Sequence, residues 1–262
     1  MLEFLKRAAE KNAFNPGWTC AYCGREIFGG GYFCRECAEK LPLNDGEICA
    51  HCGRELDAPQ DYCYTCAGRL TAFDAGRSAF VYEGIVSALI RKFKYGNARY
   101  LAKVFAPYLA NVYYGSFAAA DAVAYVPMLK KDQRKRGFNQ TELLAREFSA
   151  LTGLRVISAA EKRRPTAKQA ALDREDRLKN MENTFRVADK AAVAGLNILI
   201  LDDVTTTGAT ANALAAELKK SGADKVFVLT VASVSGSERK KEKQAESGAF
   251  RKERKWDSSG IF

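Results

Sequence analysis

The chain has 262 residues, 47% of them hydrophobic, and 41 Lys/Arg against 31 Asp/Glu, for a formal net charge of +10 at pH 7. That length allows one sizeable core with a smaller accessory unit, and no apolar run approaches the ~20 residues that span a bilayer. The single histidine, His51, lies between two cysteines. A serine or cysteine nucleophile relayed through a histidine is therefore excluded.

Residues 1–17 are a mixed-charge stretch of helical character without the apolar segment of a signal peptide, so a cytoplasmic protein with no membrane insertion is expected. Residues 18–70 hold all eight cysteines, as four C-x-x-C pairs: Cys20/Cys23, Cys34/Cys37, Cys49/Cys52 and Cys63/Cys66. Adding 29 to the first four positions gives the second four. Cys-Ala-Tyr-Cys-Gly-Arg-Glu-Ile (20–27) returns as Cys-Ala-His-Cys-Gly-Arg-Glu-Leu (49–56). The segment is thus an internal duplication. In a reducing compartment each half reads as a four-cysteine zinc site, with a structural zinc ion in each. Gly24 and Gly53 permit the tight knuckle after each first pair. A hairpin is expected over 25–33, around Gly29-Gly30-Gly31. The clean period favours tandem quartets over interleaved ones, with His51 a bystander.

Past residue 70 the pattern changes to alternating strands and helices. Strands are expected at 77–82, 122–126, 198–201 and 225–234, and helices at 85–93, 100–114, 140–151 and 209–220. This order predicts an α/β fold, a mostly parallel sheet with helices on both faces, over residues 71–236. Residues 237–262 are charged and aperiodic and read as a disordered basic tail. Positive charge is concentrated from Val126 to Arg186, with fifteen Lys/Arg against eight Asp/Glu. Such a balance suits phosphorylated ligands or nucleic acid.

The most informative stretch is Ile-Leu-Ile-Leu-Asp-Asp-Val-Thr-Thr-Thr-Gly-Ala-Thr (198–210). An apolar strand ends in Asp202 and Asp203, and a turn of Thr205, Thr206, Thr207 and Gly208 leads through Ala209 and Thr210 into a helix. Free N–H groups and the dipole at a helix start attract phosphate. The paired acids add what a sugar diol and a Mg2+ ion require, which are acceptor oxygens. Lys130, Lys131, Arg134, Lys135 and Arg136 follow another strand, in the place and with the charge to grip a pyrophosphate. The long polar segment 161–186, with Arg164, Lys168, Gln169 and Arg177, suits a lid.

Residues 198–210 resemble the 5-phosphoribosyl-1-pyrophosphate (PRPP) motif of type I phosphoribosyltransferases. The order of the four-cysteine unit, Lys-Phe-Lys-Tyr-Gly (92–96), Val-Pro-Met-Leu (126–129), Arg-Gly-Phe-Asn-Gln (136–140) and the acidic-pair loop resembles the ComF competence proteins. That resemblance implies a type I phosphoribosyltransferase-like fold with a zinc-ribbon-like unit, PRPP and Mg2+ as ligands, and a role in DNA uptake beside other transformation proteins. It implies ribose and metal contacts by Asp202 and Asp203, a 5′-phosphate cradle at 205–210, and pyrophosphate contacts by Lys130, Arg134 and Arg136. In 6-oxopurine phosphoribosyltransferases the position matching Thr206 is an aspartate, so threonine argues against a hypoxanthine or guanine acceptor. The acceptor stays open. The alternative is a non-catalytic single-stranded-DNA-binding protein, with Phe93, Tyr95 and Phe138 as stacking surfaces.

Overall fold

Apolar runs in the latter part of the chain assemble into a single parallel sheet. The computed structural model describes residues 19–28, 30–68, 71–117, 120–164 and 184–235. In chain order its elements are α1 (Arg35–Ala38), β1 (Ala75–Val81), α2 (Gly84–Tyr95), α3 (Leu101–Ser116), β2 (Ala122–Tyr125), α4 (Lys130–Arg136), α5 (Gln140–Thr152), β3 (Arg155–Ile157), β4 (Glu161–Lys162), β5 (Phe185–Arg186), β6 (Asn197–Thr205), α6 (Ala209–Lys220) and β7 (Lys225–Ser233). The sheet runs β1-β7-β6-β2-β3, and every neighbouring pair in it is parallel. β4 and β5 form a separate antiparallel ribbon.

Strands buried on both faces need apolar side chains in both directions, which is why β6 opens Asn-Ile-Leu-Ile-Leu. Leu199 and Leu201 pack with Phe80, Phe93, Phe105 and Phe148 on the side of α2, α3 and α5. Ile198 and Ile200 pack on the other side, against Leu214 and Leu218 of α6. The expected helices on both faces are present. Each fully buried Phe or Leu contributes about 1.5–3 kcal/mol from area removed from water.

Two expectations are corrected. The strand predicted to stop at Leu201 continues to Thr205, with Asp202 opposite Thr230, Val204 opposite Ala232 and Thr205 opposite Ser233. β7 offers ladder partners that far, and satisfying the backbone outweighs the low strand propensity of Asp. Among the described residues of 25–33 no strand pairing forms the expected hairpin, and the isolated bridge Thr19–Glu26 clips the knuckle instead. The basic run 130–136 forms the short α4, closed by Gly137 at φ 84°, where a residue without Cβ is favoured.

The cysteine region rests on the outer edge of the sheet. Leu43 bridges to Phe80, Val81 N–H donates to Pro42 O at 2.8 Å, and Gly76 N–H donates to His51 O at 2.6 Å. These contacts cover an edge strand that would otherwise present unpaired backbone groups. Asp74 ties the following turn to β7, accepting from Val226 N–H at 2.7 Å and pairing with Lys219 at 2.8 Å. The helix expected at 1–17, the tail at 237–262 and the lid residues Lys168, Gln169 and Arg177 lie outside the described residues. Among the described residues no helix is long and apolar enough to cross a membrane.

Candidate functional site: two cysteine cages and an acidic-pair loop

The eight thiols gather as tandem quartets. Cys20, Cys23, Cys34 and Cys37 form one cage, and Cys49, Cys52, Cys63 and Cys66 the other, with the sulfurs of each within 4.8 Å of one another. Cys23 and Cys34 Sγ lie 3.8 Å apart, and Cys52 and Cys63 Sγ 3.7 Å. A tetrahedron with Zn–S bonds of ~2.3 Å has edges of about 3.8 Å, so both cages fit a structural zinc ion. All eight cysteines are free of disulfides.

The duplication extends to the backbone. Cys20 N–H donates to Arg25 O at 2.7 Å and Cys49 N–H to Arg54 O at 2.8 Å. Ala21 N–H donates to Tyr32 O at 2.9 Å and Ala50 N–H to Asp61 O at 2.8 Å. The bridge Thr19–Glu26 returns as Ile48–Glu55. His51 belongs to neither quartet; its Nε2 meets Thr71 Oγ1 and its ring stacks on Phe73 at 4.9 Å.

The acids sit where the sheet changes direction. From β2 the chain moves outward to β3, and from β6 it moves the opposite way to β7, so a crevice opens past the carboxyl ends of β2 and β6. Such a switch point is where open α/β sheets bind ligands. Because Asp202 and Asp203 lie within β6, their side chains leave on opposite faces. They are consequently unlike each other. Asp203 is 4% exposed, and both its oxygens are engaged, Oδ1 with Lys94 Nζ at 2.7 Å and Oδ2 with Gln140 Nε2 at 2.8 Å. Burial would lower the pKa of Lys94, but the Asp203 carboxylate outweighs it and holds the ammonium above its ordinary value. Asp202 is half-buried and accepts from Asp203 N–H at 2.8 Å through Oδ1. Burial, then the like charge of Asp203, push Asp202 up to about 7. Asp202 is thus the acid available to a ligand hydroxyl or cation, and Asp203 is held by the protein.

Arg-Gly-Phe-Asn-Gln (136–140) acquires a position-by-position explanation. Gly137 ends α4. Phe138 packs on Phe93, with ring centroids 6.0 Å apart. Asn139 caps α5 by accepting from Thr141 N–H at 3.1 Å, and its amide donates to Val126 O at 3.2 Å. That clamp sets Gln140 against Asp203. Arg136 donates to Gln140 Oε1, which fixes the amide so that its NH2 faces the carboxylate. Lys94 and Gln140, quoted above only as members of the 92–96 and 136–140 motifs, are therefore site residues to which the sequence assigned no role. The signal for them was a lysine and a glutamine on apolar helices, where burial requires a partner.

The loop after β6 is short. Gly208 has φ 75° and caps α6, and Ala209 N–H donates to Thr207 Oγ1 at 3.1 Å. Thr206 is exposed, and Thr205, Thr207, Gly208, Ala209 and Thr210 are half-buried. Lys130, Lys131, Arg134 and Lys135 are exposed on α4 and form no ion pair among the described residues. Arg164 is exposed beyond β4. Phe93 and Phe138 are buried at 0% and 5% exposure, so neither offers a stacking face; Tyr95 is 78% exposed.

Two four-cysteine cages on a duplicated knuckle thus adjoin a parallel sheet with an acidic-pair loop at its switch point. Residues 13–67 match the double zinc ribbon domain, and residues 134–260 match the phosphoribosyl transferase domain. The chain has homologues named DNA utilization protein YhgH and Competence protein F. The first, from Escherichia coli O6:H1, is 38% identical over 109 residues, 41% of this chain and 47% of that protein. The second, from Haemophilus influenzae, is 29% identical over 154 residues, 55% of this chain and 66% of that protein. The chain thus spans about half the length of the E. coli relative. Among solved structures, the glutamine PRPP amidotransferase of B. subtilis complexed with ADP and GMP overlays with a TM-score of 0.39 and 18% identity, covering 54% of this chain and 30% of that one.

Proposed function

We propose that this chain is a cytoplasmic protein of DNA uptake that binds PRPP with Mg2+ in the crevice past β6 and transfers its 5-phosphoribosyl group. The observation that carries the reading is an available carboxylate, Asp202, one strand turn before a Thr/Gly loop that opens α6. Backbone N–H groups of the loop and the threonine hydroxyls would receive the 5′-phosphate. Asp202 would receive the ribose hydroxyls. In the reaction the bond from C1 to the pyrophosphate oxygen breaks, a bond from the acceptor nucleophile to C1 forms, and pyrophosphate leaves with the bonding electron pair. Lys130 and Arg134 would stabilise the charge on the departing group. The oxygen donors of Asp202 suit Mg2+, which would add charge neutralisation at the pyrophosphate. The names of the two homologues support the DNA-uptake setting.

Calorimetry of Mg-PRPP on the zinc-loaded wild type and on Asp202→Asn tests the reading. Micromolar binding, weakened at least tenfold in the variant, is the expected result. A zinc-loaded, folded wild type that ignores PRPP overturns it.

A second reading, single-stranded DNA binding, is favoured by the rim beside α2. Tyr95 lies under Arg136 at 5.5 Å and Tyr100 under Lys92 at 5.9 Å. Tyr100 is 42% exposed, and exposed aromatics among cations serve as base-stacking platforms. Tyr95→Ala with Tyr100→Ala should then weaken oligonucleotide binding while leaving Mg-PRPP affinity unchanged. An unchanged oligonucleotide affinity overturns this second reading.

A further inference from the structure

The two knuckles share a backbone but not their surroundings. Arg25 and Arg54 occupy equivalent places, each directly after the knuckle glycine. Arg25 lies at the surface, its side chain 60% exposed, and pairs with Glu36 at 2.8 Å. Arg54 is 3% exposed. The position 29 residues after Glu36 is Thr65, so the acid of the first knuckle has no counterpart in the second. No carboxylate pairs with Arg54 among the described residues. Its guanidinium instead donates through Nη2 to the carbonyl of Thr206, 152 residues away, in the middle of the loop that opens α6. Its Nε has no protein partner among the described residues.

A buried guanidinium without a counter-ion is costly unless an anion lies near it. The loop it holds is the one whose N–H groups are presented to a phosphate. A bond to the Thr206 carbonyl fixes that peptide plane, and so the direction in which the next N–H points. The second knuckle is anchored for this duty. Asn44 Nδ2 donates to Gly53 O at 2.7 Å, and Arg77 Nη1 to Ala50 O at 3.1 Å. A Cβ on Gly53 would meet Arg77 Cα and Gly76 O at 2.6 Å, whereas one on Gly24 would meet nothing within 4 Å. A second strut reaches the same element, since Asn212 Oδ1 in the first turn of α6 accepts from Ala72 N–H at 2.6 Å.

We infer that Arg54 is a positioning residue of the phosphate loop, and that the Cys49/Cys52/Cys63/Cys66 cage serves the site by holding Arg54 in place. The inference rests on the 5′-phosphate reading above. One metal cage is therefore a working arm of the binding site, while its duplicate is not.

The test uses the full chain with both cages zinc-loaded, in wild type, Arg54→Ala, Arg54→Lys and, as the matched control, Arg25→Ala. Ribose 5-phosphate probes the loop, and Mg-pyrophosphate probes the far side of the site. Arg54→Ala should weaken ribose 5-phosphate about tenfold, the worth of one hydrogen bond from a charged donor. Mg-pyrophosphate affinity and zinc content should be unchanged. Arg54→Lys, which keeps a donor, should recover part of the loss, and Arg25→Ala should behave as wild type. Amide exchange over 204–210 should accelerate in Arg54→Ala alone. Equal ribose 5-phosphate binding by wild type and Arg54→Ala overturns this inference and leaves the proposed function standing. Equal weakening of both probes also overturns it, because that is the mark of a general loss of structure. A wild type that binds neither probe overturns both readings.

Discussion

Replacing Lys94 with methionine tests the central ion pair, because the side chain keeps its length and loses only its charge. The ammonium lies 2.7 Å from an Asp203 oxygen, with side-chain exposures of 24% and 5%. At an effective dielectric constant of ~20 two such charges attract by about 6 kcal/mol, much of which offsets their desolvation. Removing one partner leaves a buried carboxylate held, among the described residues, by the Gln140 side chain alone. Such losses run to roughly 3–5 kcal/mol, and the partial exposure of Lys94 places this one near 3 kcal/mol. For a chain of this size that corresponds to a fall in Tm of roughly 6–12 °C. Urea unfolding of the zinc-loaded chain at pH 7.5 measures it directly. Lys94→Met with Asp203→Asn removes the stranded charge and should recover most of the loss, since the cost lies in the unpaired ion. A single variant within about 1 kcal/mol of wild type, or a double variant no more stable than the single, refutes the reasoning.

Three further outcomes are expected. Metal analysis should find one zinc per cage in the native chain, and Cys20→Ser/Cys23→Ser should lose the first ion while keeping the second; loss of both would show that the cages are not independent. Asp202 is raised from 3.8 to about 7, so the native chain keeps this proton to higher pH than the unfolded chain does. The group favours the fold in acid, and its contribution is lost as pH rises from about 4 to 7. Asp202→Asn removes that loss, so its stability relative to wild type should climb between pH 4 and pH 8; a flat difference refutes the raised value. Gly53→Ala should cost at least 1 kcal/mol more than Gly24→Ala: both impose about 1–2 kcal/mol for the left-handed backbone, but only the former drives a Cβ into Arg77 and Gly76. Equal melting temperatures would show that the second knuckle is not seated on β1.

Much of this was legible in the sequence because the determining interactions are local. The C-x-x-C repeat fixes tandem cages, since a 29-residue period leaves each quartet complete within its own half. Apolar runs at 198–201 and 225–234 identify core strands through burial on both faces. What the sequence concealed depends on partners far along the chain. Asp202 and Asp203 read as an equivalent pair, and only the pleat of β6, with Lys94 and Gln140 converging on one face, separates them. Phe93 and Phe138 were expected as stacking surfaces beside cations, yet they pack on each other beneath the site, because an aromatic gains more from burial than from exposure. Arg54 looks identical to Arg25 in its own octapeptide. Its proposed role arises from the seating of the second knuckle on β1, which brings Arg54 to the Thr206 carbonyl and which no local pattern announces.

The continuation of β6 through both acids has a thermodynamic consequence. Asp202, Val204 and Thr205 are paired with β7, so the backbone entropy of this stretch is spent when the chain folds, before any ligand arrives. The floor of the crevice is rigid at the outset, and under the proposed phosphate reading the cost of adapting to the ligand falls on the few residues between Thr206 and Gly208. On that reading, affinity is most sensitive to whatever stiffens those three peptides. A change there acts on binding without needing to alter a single contact to the ligand.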